Sequence, residues 1–159
     1  MSSLQTGGRS VASISLILFA ATAIVAALQD PAPRTVWGGI YTDKQAQRGA
    51  QVFKTECSYC HQDDLSGGFF DNGAGRAPAL AGARAFDSSF TERWKDTTLA
   101  EMVATVASTM PQQKPASLTV QAYVDVVAFM LSKNNVPAGS AELPIDVDAL
   151  GQILITQKN

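Results

Sequence analysis

Two cysteines and one histidine make up all the thiol and imidazole chemistry of this chain, and they stand together in Cys57-Ser58-Tyr59-Cys60-His61. Cys-x-x-Cys-His is the spacing at which a c-type haem is attached. The two thiols can add to the two vinyl groups of a porphyrin, and the adjacent imidazole then sits close to the iron. Residues three and four apart share one face of an α-helix, so Cys57, Cys60 and His61 can all address one flat ligand.

Other uses of the motif fit less well. A structural zinc site takes four Cys or His ligands, and this chain offers at most three. A thioredoxin-like dithiol is expected beside a βαβ pattern, whereas both flanks here read as helical. An inert pair of buried cysteines leaves His61 without a role. At 159 residues the chain has room for one domain with additions. Its formal charge of −2, with no basic block, argues against nucleic acid as a partner. Aromatic residues are only 8% of the chain. A porphyrin, itself a large apolar plate, would supply much of the missing core.

The elements that must position the motif follow in order. Residues 1–28 read as an export signal: Arg9 is basic, and Val11–Leu28 carries no charge. Val25-Ala26-Ala27, or less favourably Ala21-Thr22-Ala23, supplies small residues for cleavage. The apolar run is near the lower limit for a spanning helix, so a retained anchor is the alternative. Either way the folded part is expected outside the cytoplasmic membrane. Residues 29–41, with Pro31, Pro33, Gly38 and Gly39, read as a linker.

The first folded helix is predicted to start at Thr42, with Gln45 completing a capping box. Ala46, Gly49, Ala50 and Phe53 recur at helical spacing towards the motif. A glycine inside a helix costs about 1 kcal/mol relative to alanine, which points to close approach of another helix at Gly49. Residues 62–75 are rich in Gly, Asp and Asn and read as a loop carrying Phe69 and Phe70. Phe69 and Phe70 are expected to tuck onto the domain, or to form a contact patch near the motif. Pro78 has a fixed backbone angle, and a ligating histidine usually gives its second N–H to a carbonyl or carboxylate. The Pro78 carbonyl is a candidate acceptor for His61, and Leu80 a candidate for packing on the ring. Phe90 and Trp94 lie on a predicted short helix. The Trp94 indole needs an acceptor, either a porphyrin propionate or an ordinary carbonyl. Thr98 and Glu101 form a second predicted capping box, opening a helix striped by Leu99, Met102, Val103, Val106 and Met110. Pro111 ends it. The last strong helix spans Thr119–Asn134 and is apolar on most sides. Its Val126–Phe129 face is the natural partner of Gly49 and Phe53.

A second axial ligand cannot be a second histidine from this chain. The remaining choices are a methionine, a lysine, a terminal amine, water or an open site, and the chain has three methionines besides Met1. Met102 and Met130 lie inside apolar stripes and read as core. Met110 ends its helix on a constrained backbone and is the expected distal ligand, with Lys114 a candidate replacement at high pH. A thioether favours ferrous iron, and Met/His ligation raises the potential. Filling both axial sites keeps other ligands from the metal and leaves one-electron transfer, which points to a carrier and not an enzyme.

In the order and spacing of these landmarks, residues 42–136 resemble the class I c-type cytochromes, small all-α electron carriers. The resemblance rests on Gly49 and Phe53, the Cys57–His61 motif, Pro78 and Leu80, Trp94, Met110-Pro111, and Val126 with Phe129. It implies an N-terminal and a C-terminal helix crossing around one covalent haem c, with Cys57 and Cys60 as thioether anchors. It also implies His61 and Met110 as axial ligands, Pro78 as the carbonyl partner of His61, and Trp94 as a propionate donor. The implied partners are redox donor and acceptor proteins of a respiratory chain or a periplasmic dehydrogenase. A membrane is implied only if residues 1–28 are retained. Alternatives are a haem-based ligand-binding or sensor module, and the cytochrome subunit of a dehydrogenase complex. Residues 137–159 form a Pro- and Gly-punctuated extension beyond the resemblance, as does the 62–75 loop within it.

Overall fold

The structure, a computed structural model, describes residues 34–82 and 89–158. The expected export signal or anchor, residues 1–28, lies outside the described residues, as do residues 29–33 of the expected linker. Six α-helices are described: α1 (Asp43–Glu56), α2 (Ser58–His61), α3 (Phe90–Trp94), α4 (Leu99–Thr109), α5 (Val120–Lys133) and α6 (Val147–Gly151). Four short strands, β1 (Arg34–Thr35), β2 (Gly68–Phe70), β3 (Gly75–Ala77) and β4 (Ile153–Leu154), form two two-stranded sheets. The all-α expectation holds for the body, and the strands are small additions to it.

Helix α1 packs on α5, and Gly49 is where they come closest. A Cβ on Gly49 would lie 1.8 Å from the Asp125 carbonyl oxygen and 3.0 Å from the Phe129 Cβ. Only a residue without a side chain lets the two backbones meet so closely. One turn on, Phe53 meets Phe129 with ring centroids 5.3 Å apart and planes tilted by 58°, an orientation aromatic pairs favour. Val126 and Phe129 are both buried there, as expected from their positions on the last helix.

The helix ends show which capping patterns the fold uses. Thr98 and Glu101 make both halves of the capping box on α4. At α1 only half of the expected box forms. Thr42 Oγ1 accepts from the Gln45 N–H at 3.1 Å, but the Gln45 side chain turns into the core. There its Nε2 donates to the Leu143 carbonyl at 3.2 Å, and its Oε1 accepts from the Leu143 N–H at 2.7 Å. A side-chain amide matches a buried peptide group donor to acceptor and acceptor to donor. Two buried bonds win over one exposed bond.

The C-terminal extension is wound back over the domain. Arg48 of α1 forms a bidentate pair with Asp125 of α5, at 2.9 and 3.0 Å, and a second with Glu142, at 2.8 and 2.7 Å. Gln121 Nε2 donates to Asp125 Oδ1 at 2.8 Å, so this buried carboxylate is fully engaged. Further on, β4 pairs in parallel with β1, in the register Arg34↔Ile153 and Thr35↔Leu154. The Trp37 indole N–H donates to the Thr156 carbonyl at 2.8 Å, and the Tyr41 hydroxyl to the Val136 carbonyl at 2.6 Å.

These contacts correct the linker expectation over residues 34–41. Val36, Ile40 and Tyr41 are buried in the main core. Gly38 and Gly39, which helped suggest a linker, form the turn of a packed segment, and the apolar residues around them find partners in the returning tail. The 62–75 stretch also differs from the expected loop. It contains β2 and leads into β3, and the two form an antiparallel hairpin in the register Gly68↔Ala77, Phe69↔Arg76 and Phe70↔Gly75. Among the described residues, no helix is long and apolar enough to cross a membrane.

Candidate functional site

Helix α1 bends at Cys57 and continues as the single turn α2. Cys57 has φ −127° and ψ −32°, off the helical values, yet its N–H still donates to the Phe53 carbonyl at 2.9 Å. The Cys57 carbonyl accepts from the His61 N–H at 3.0 Å and from the Cys60 N–H at 3.3 Å. The bend therefore keeps Cys57, Cys60 and His61 in one hydrogen-bonded turn. After His61 the chain reverses. Gly67 donates its N–H to the His61 carbonyl at 2.8 Å, and Leu65, fully buried, accepts from the Leu80 N–H at 2.8 Å.

The Leu65–Leu80 contact brings the Pro78 segment alongside the motif. His61 is buried, and its Nδ1 lies 3.0 Å from the Pro78 carbonyl oxygen. A carbonyl can only accept, so Nδ1 carries the proton and donates. In the neutral ring this leaves the Nε2 lone pair for a metal. Burial holds the His61 pKa below its ordinary value. The Pro78 carbonyl opposes that shift and the Arg93 charge reinforces it. Burial likewise pushes the Cys57 thiol up to about 11, with the Glu56 and Cys60 charges adding to it. Cys60 is raised in the same direction, by burial first and then by Asp71. Both shifts run opposite to the depressed pKa of a reactive cysteine. Among the described residues no group of three or more His, Cys, Asp or Glu is placed to hold a metal ion.

A cleft of about 270 Å³ opens beside this turn. Cys57, Cys60 and His61 line it together with Pro78 and Leu80 of the neighbouring segment, Trp94 of α3 and Met110 at the end of α4. Seven residues singled out from sequence, spread over four segments, thus meet in one space. Phe53, Phe70, Val106, Val126 and Met130 give it apolar walls. Met110 caps α4 in an extended conformation, with φ −128° and ψ 152°. Its N–H donates to the Val106 carbonyl at 2.8 Å, and its carbonyl accepts from the buried Tyr123 hydroxyl at 2.8 Å. Lys114, weighed above as a substitute for Met110, is not part of the lining. It pairs instead with Glu56 at 2.8 Å. Met102 and Leu99 are fully buried in the core, as their stripe suggested. Of the hairpin phenylalanines, Phe70 lines the cleft while Phe69 is 71% exposed, so only one of the two tucks in.

Residues 44–130 match the family described as Cytochrome C oxidase, cbb3-type, subunit III. The chain belongs to that family. No curated protein and no solved structure matches the chain. The family's domain is a c-type cytochrome, which makes the chain an electron-transfer protein and implies a covalently bound haem c. The cleft suits that group. It is apolar, as a porphyrin plate requires, and it brings Cys57, Cys60 and the Pro78-braced His61 to one wall.

Several residues that shape the site escaped the sequence reading. Tyr123 read only as core, and Asn134 only as a helix end. Asp125 did carry a signal: it is the single charge between Ala122 and Leu131, in an otherwise apolar run. A charge there needs a partner, and Arg48 could have been sought. Gly67 had no local signal beyond membership of a Gly-rich stretch.

Proposed function

We propose that this cbb3-type subunit III relative is a monohaem c-type cytochrome that carries single electrons and makes or breaks no bonds. Cys57 and Cys60 would hold the haem through thioethers, and His61 and Met110 would supply the protein ligands to its iron. A haem held in this way supplies one-electron exchange between ferric and ferrous iron. The protein's part is to orient the imidazole through Pro78, to present the Met110 sulfur from the far end of α4, and to keep water from the cleft with apolar walls. Leu80 packs on the ring, and Trp94 donates its indole N–H to a propionate. The observation that carries this reading is the meeting of both thiols, the Pro78-braced His61 and Met110 in one apolar cleft.

The reading extends to location. Residues 1–28 direct export, and the domain works in the periplasm, tethered to the outer face of the cytoplasmic membrane only if that segment is retained. Its partners are protein electron donors and acceptors of a respiratory chain. The family description favours a second, compatible reading, in which the chain is one subunit of a respiratory complex. Co-purification with other subunits from native membranes tests that reading, and recovery as a lone protein counts against it.

The ligand assignment is tested by Met110→Ala in the haem-loaded protein. The ferric charge-transfer band near the red edge of the visible should vanish and the potential should fall, because the thioether's preference for ferrous iron is lost. An unchanged spectrum and potential would remove Met110 from the iron. Ready binding of carbon monoxide to the wild-type ferrous protein at neutral pH would favour a sensor over a carrier. Mass spectrometry of the native protein reads the haem adduct and the N-terminus together.

A further inference from the structure

We propose that Gly67 and Asn134 are positioning residues for the proximal histidine: together they fix the Pro78 carbonyl against His61 Nδ1 and so help set the reduction potential. The inference rests on the reading of His61 as an iron ligand.

The His61–Pro78 bond joins two segments that the Gly68↔Ala77 pairing and the Leu65 carbonyl also hold side by side. Gly67 stands between them. Its N–H is bonded to the His61 carbonyl at 2.8 Å. On its other side the Pro78 peptide is so close that a Cβ on Gly67 would lie 2.4 Å from the Pro78 oxygen and 2.5 Å from its carbonyl carbon. Gly67 also has φ +58°, in the left-handed region where glycine is favoured. One missing side chain therefore sets how near the Pro78 carbonyl comes to the imidazole turn.

Asn134 holds the same segment from the other end. It lies just past α5, and its Nδ2 donates to the Leu80 carbonyl at 2.9 Å and to the Met130 carbonyl at 2.7 Å. Its Oδ1 accepts from the Gly82 N–H at 3.1 Å. The Leu65 carbonyl takes the Leu80 and Ala81 N–H groups, at 2.8 and 3.3 Å. The strap from Pro78 to Gly82 is thus clipped to the last helix and to the loop after His61, while Gly67 lets it lie close.

The bond is sensitive to that placement. A retreat of the Pro78 oxygen by about 0.6 Å from the imidazole would take it beyond hydrogen-bonding range. An N–H donated to an acceptor raises the basicity of a ligating imidazole. Greater basicity stabilises ferric iron, so a loosened bond favours the ferrous state and raises the potential.

The test uses the haem-loaded full chain with Gly67→Ala and Asn134→Ser. The control is Gly73→Ala, which replaces a glycine of similar positive φ, +94°, that has open space around it. Two readouts are taken: the reduction potential, and exchange of the Nδ1 proton in the reduced protein labelled with 15N-histidine. His61 is the single histidine, so that signal is unambiguous. Both test variants should shift the ferric/ferrous equilibrium towards ferrous by on the order of tenfold, ~59 mV for one electron. Both should exchange the Nδ1 proton faster than wild type, and Gly73→Ala should match wild type in both. If Gly67→Ala fails to load haem, Asn134→Ser alone decides. Potentials and exchange rates equal to the control's would overturn the inference. So would failure of both variants to load haem while the control loads, because the residues would then serve folding and not ligand placement. A wild-type protein with no iron-shifted imidazole signal would defeat the ligation reading itself, which separates the two failures.

Discussion

The Tyr123 hydroxyl donates to the Met110 carbonyl at 2.8 Å. A buried tyrosine near the start of α5 thereby holds the backbone of the residue that ends α4, and two walls of the cleft are tied at the methionine. A bond of this kind is worth about 1 kcal/mol net. Tyr123→Phe should cost about that much in chemical denaturation. It should also weaken the ferric charge-transfer band at the red edge and speed carbon monoxide binding, because the Met110 backbone is freer. A variant with wild-type ligand binding would show that Tyr123 serves packing alone.

Gly49 is where α1 and α5 touch. Its absent side chain would sit 1.8 Å from the Asp125 carbonyl, and a backbone atom cannot swing aside. Gly49→Ala must therefore separate the helices and loosen the Phe53–Phe129 contact. Overpacking of this kind should cost about 3 kcal/mol, read as a lower denaturant midpoint with an unchanged slope. Retained stability would mean that the helices do not meet at this residue.

Gln45 closes two buried bonds to Leu143. Gln45→Ala leaves the Leu143 N–H and carbonyl without their partner, at about 1–3 kcal/mol for each buried group left unsatisfied. The variant should be less stable by about 2–4 kcal/mol. Limited proteolysis should cut it earlier within residues 137–159 than wild type. Equal cutting rates would show that the extension is held mainly by its other contacts.

Glu142 lies on the surface and has its pKa lowered, first by its hydrogen bond to Arg48. A carboxyl depressed in the folded state adds stability above its unfolded pKa, near 4.3. That stability is lost as pH falls through the lower folded value. Thermal melts of wild type and Glu142→Gln should therefore differ at pH 7. The gap should close below about pH 4 and narrow in high salt. A gap constant from pH 7 to pH 3 would show that the carboxylate charge is not its source.

Much of the site could be read from residue types and spacing because its parts are local or rare. Cys57, Cys60 and His61 fall within five residues, and no other cysteine or histidine competes with them. Met110 stood apart because Pro111 follows it, and Gly49 because a glycine there disfavours its own helix. The expectations that changed depend on distant partners. Residues 29–41 read as a linker from Pro31, Pro33, Gly38 and Gly39, while partners of the buried 36–41 segment, such as Val136 and Thr156, lie about a hundred residues on. Gln45 read as half of a capping box because Leu143 lies 98 residues further on.

The sequence by itself determined which chemistry is available and which helices carry it, because the Cys-x-x-Cys-His spacing, helix periodicity and capping each act over a few residues. Tertiary structure alone decided how the ligand wall is held. Asn134 clips the Pro78 strap, Tyr123 holds Met110, and the tail folds back over Arg48 and Gln45. Each of these is a hydrogen bond or ion pair between groups far apart in the chain. Such partners leave no periodicity to read.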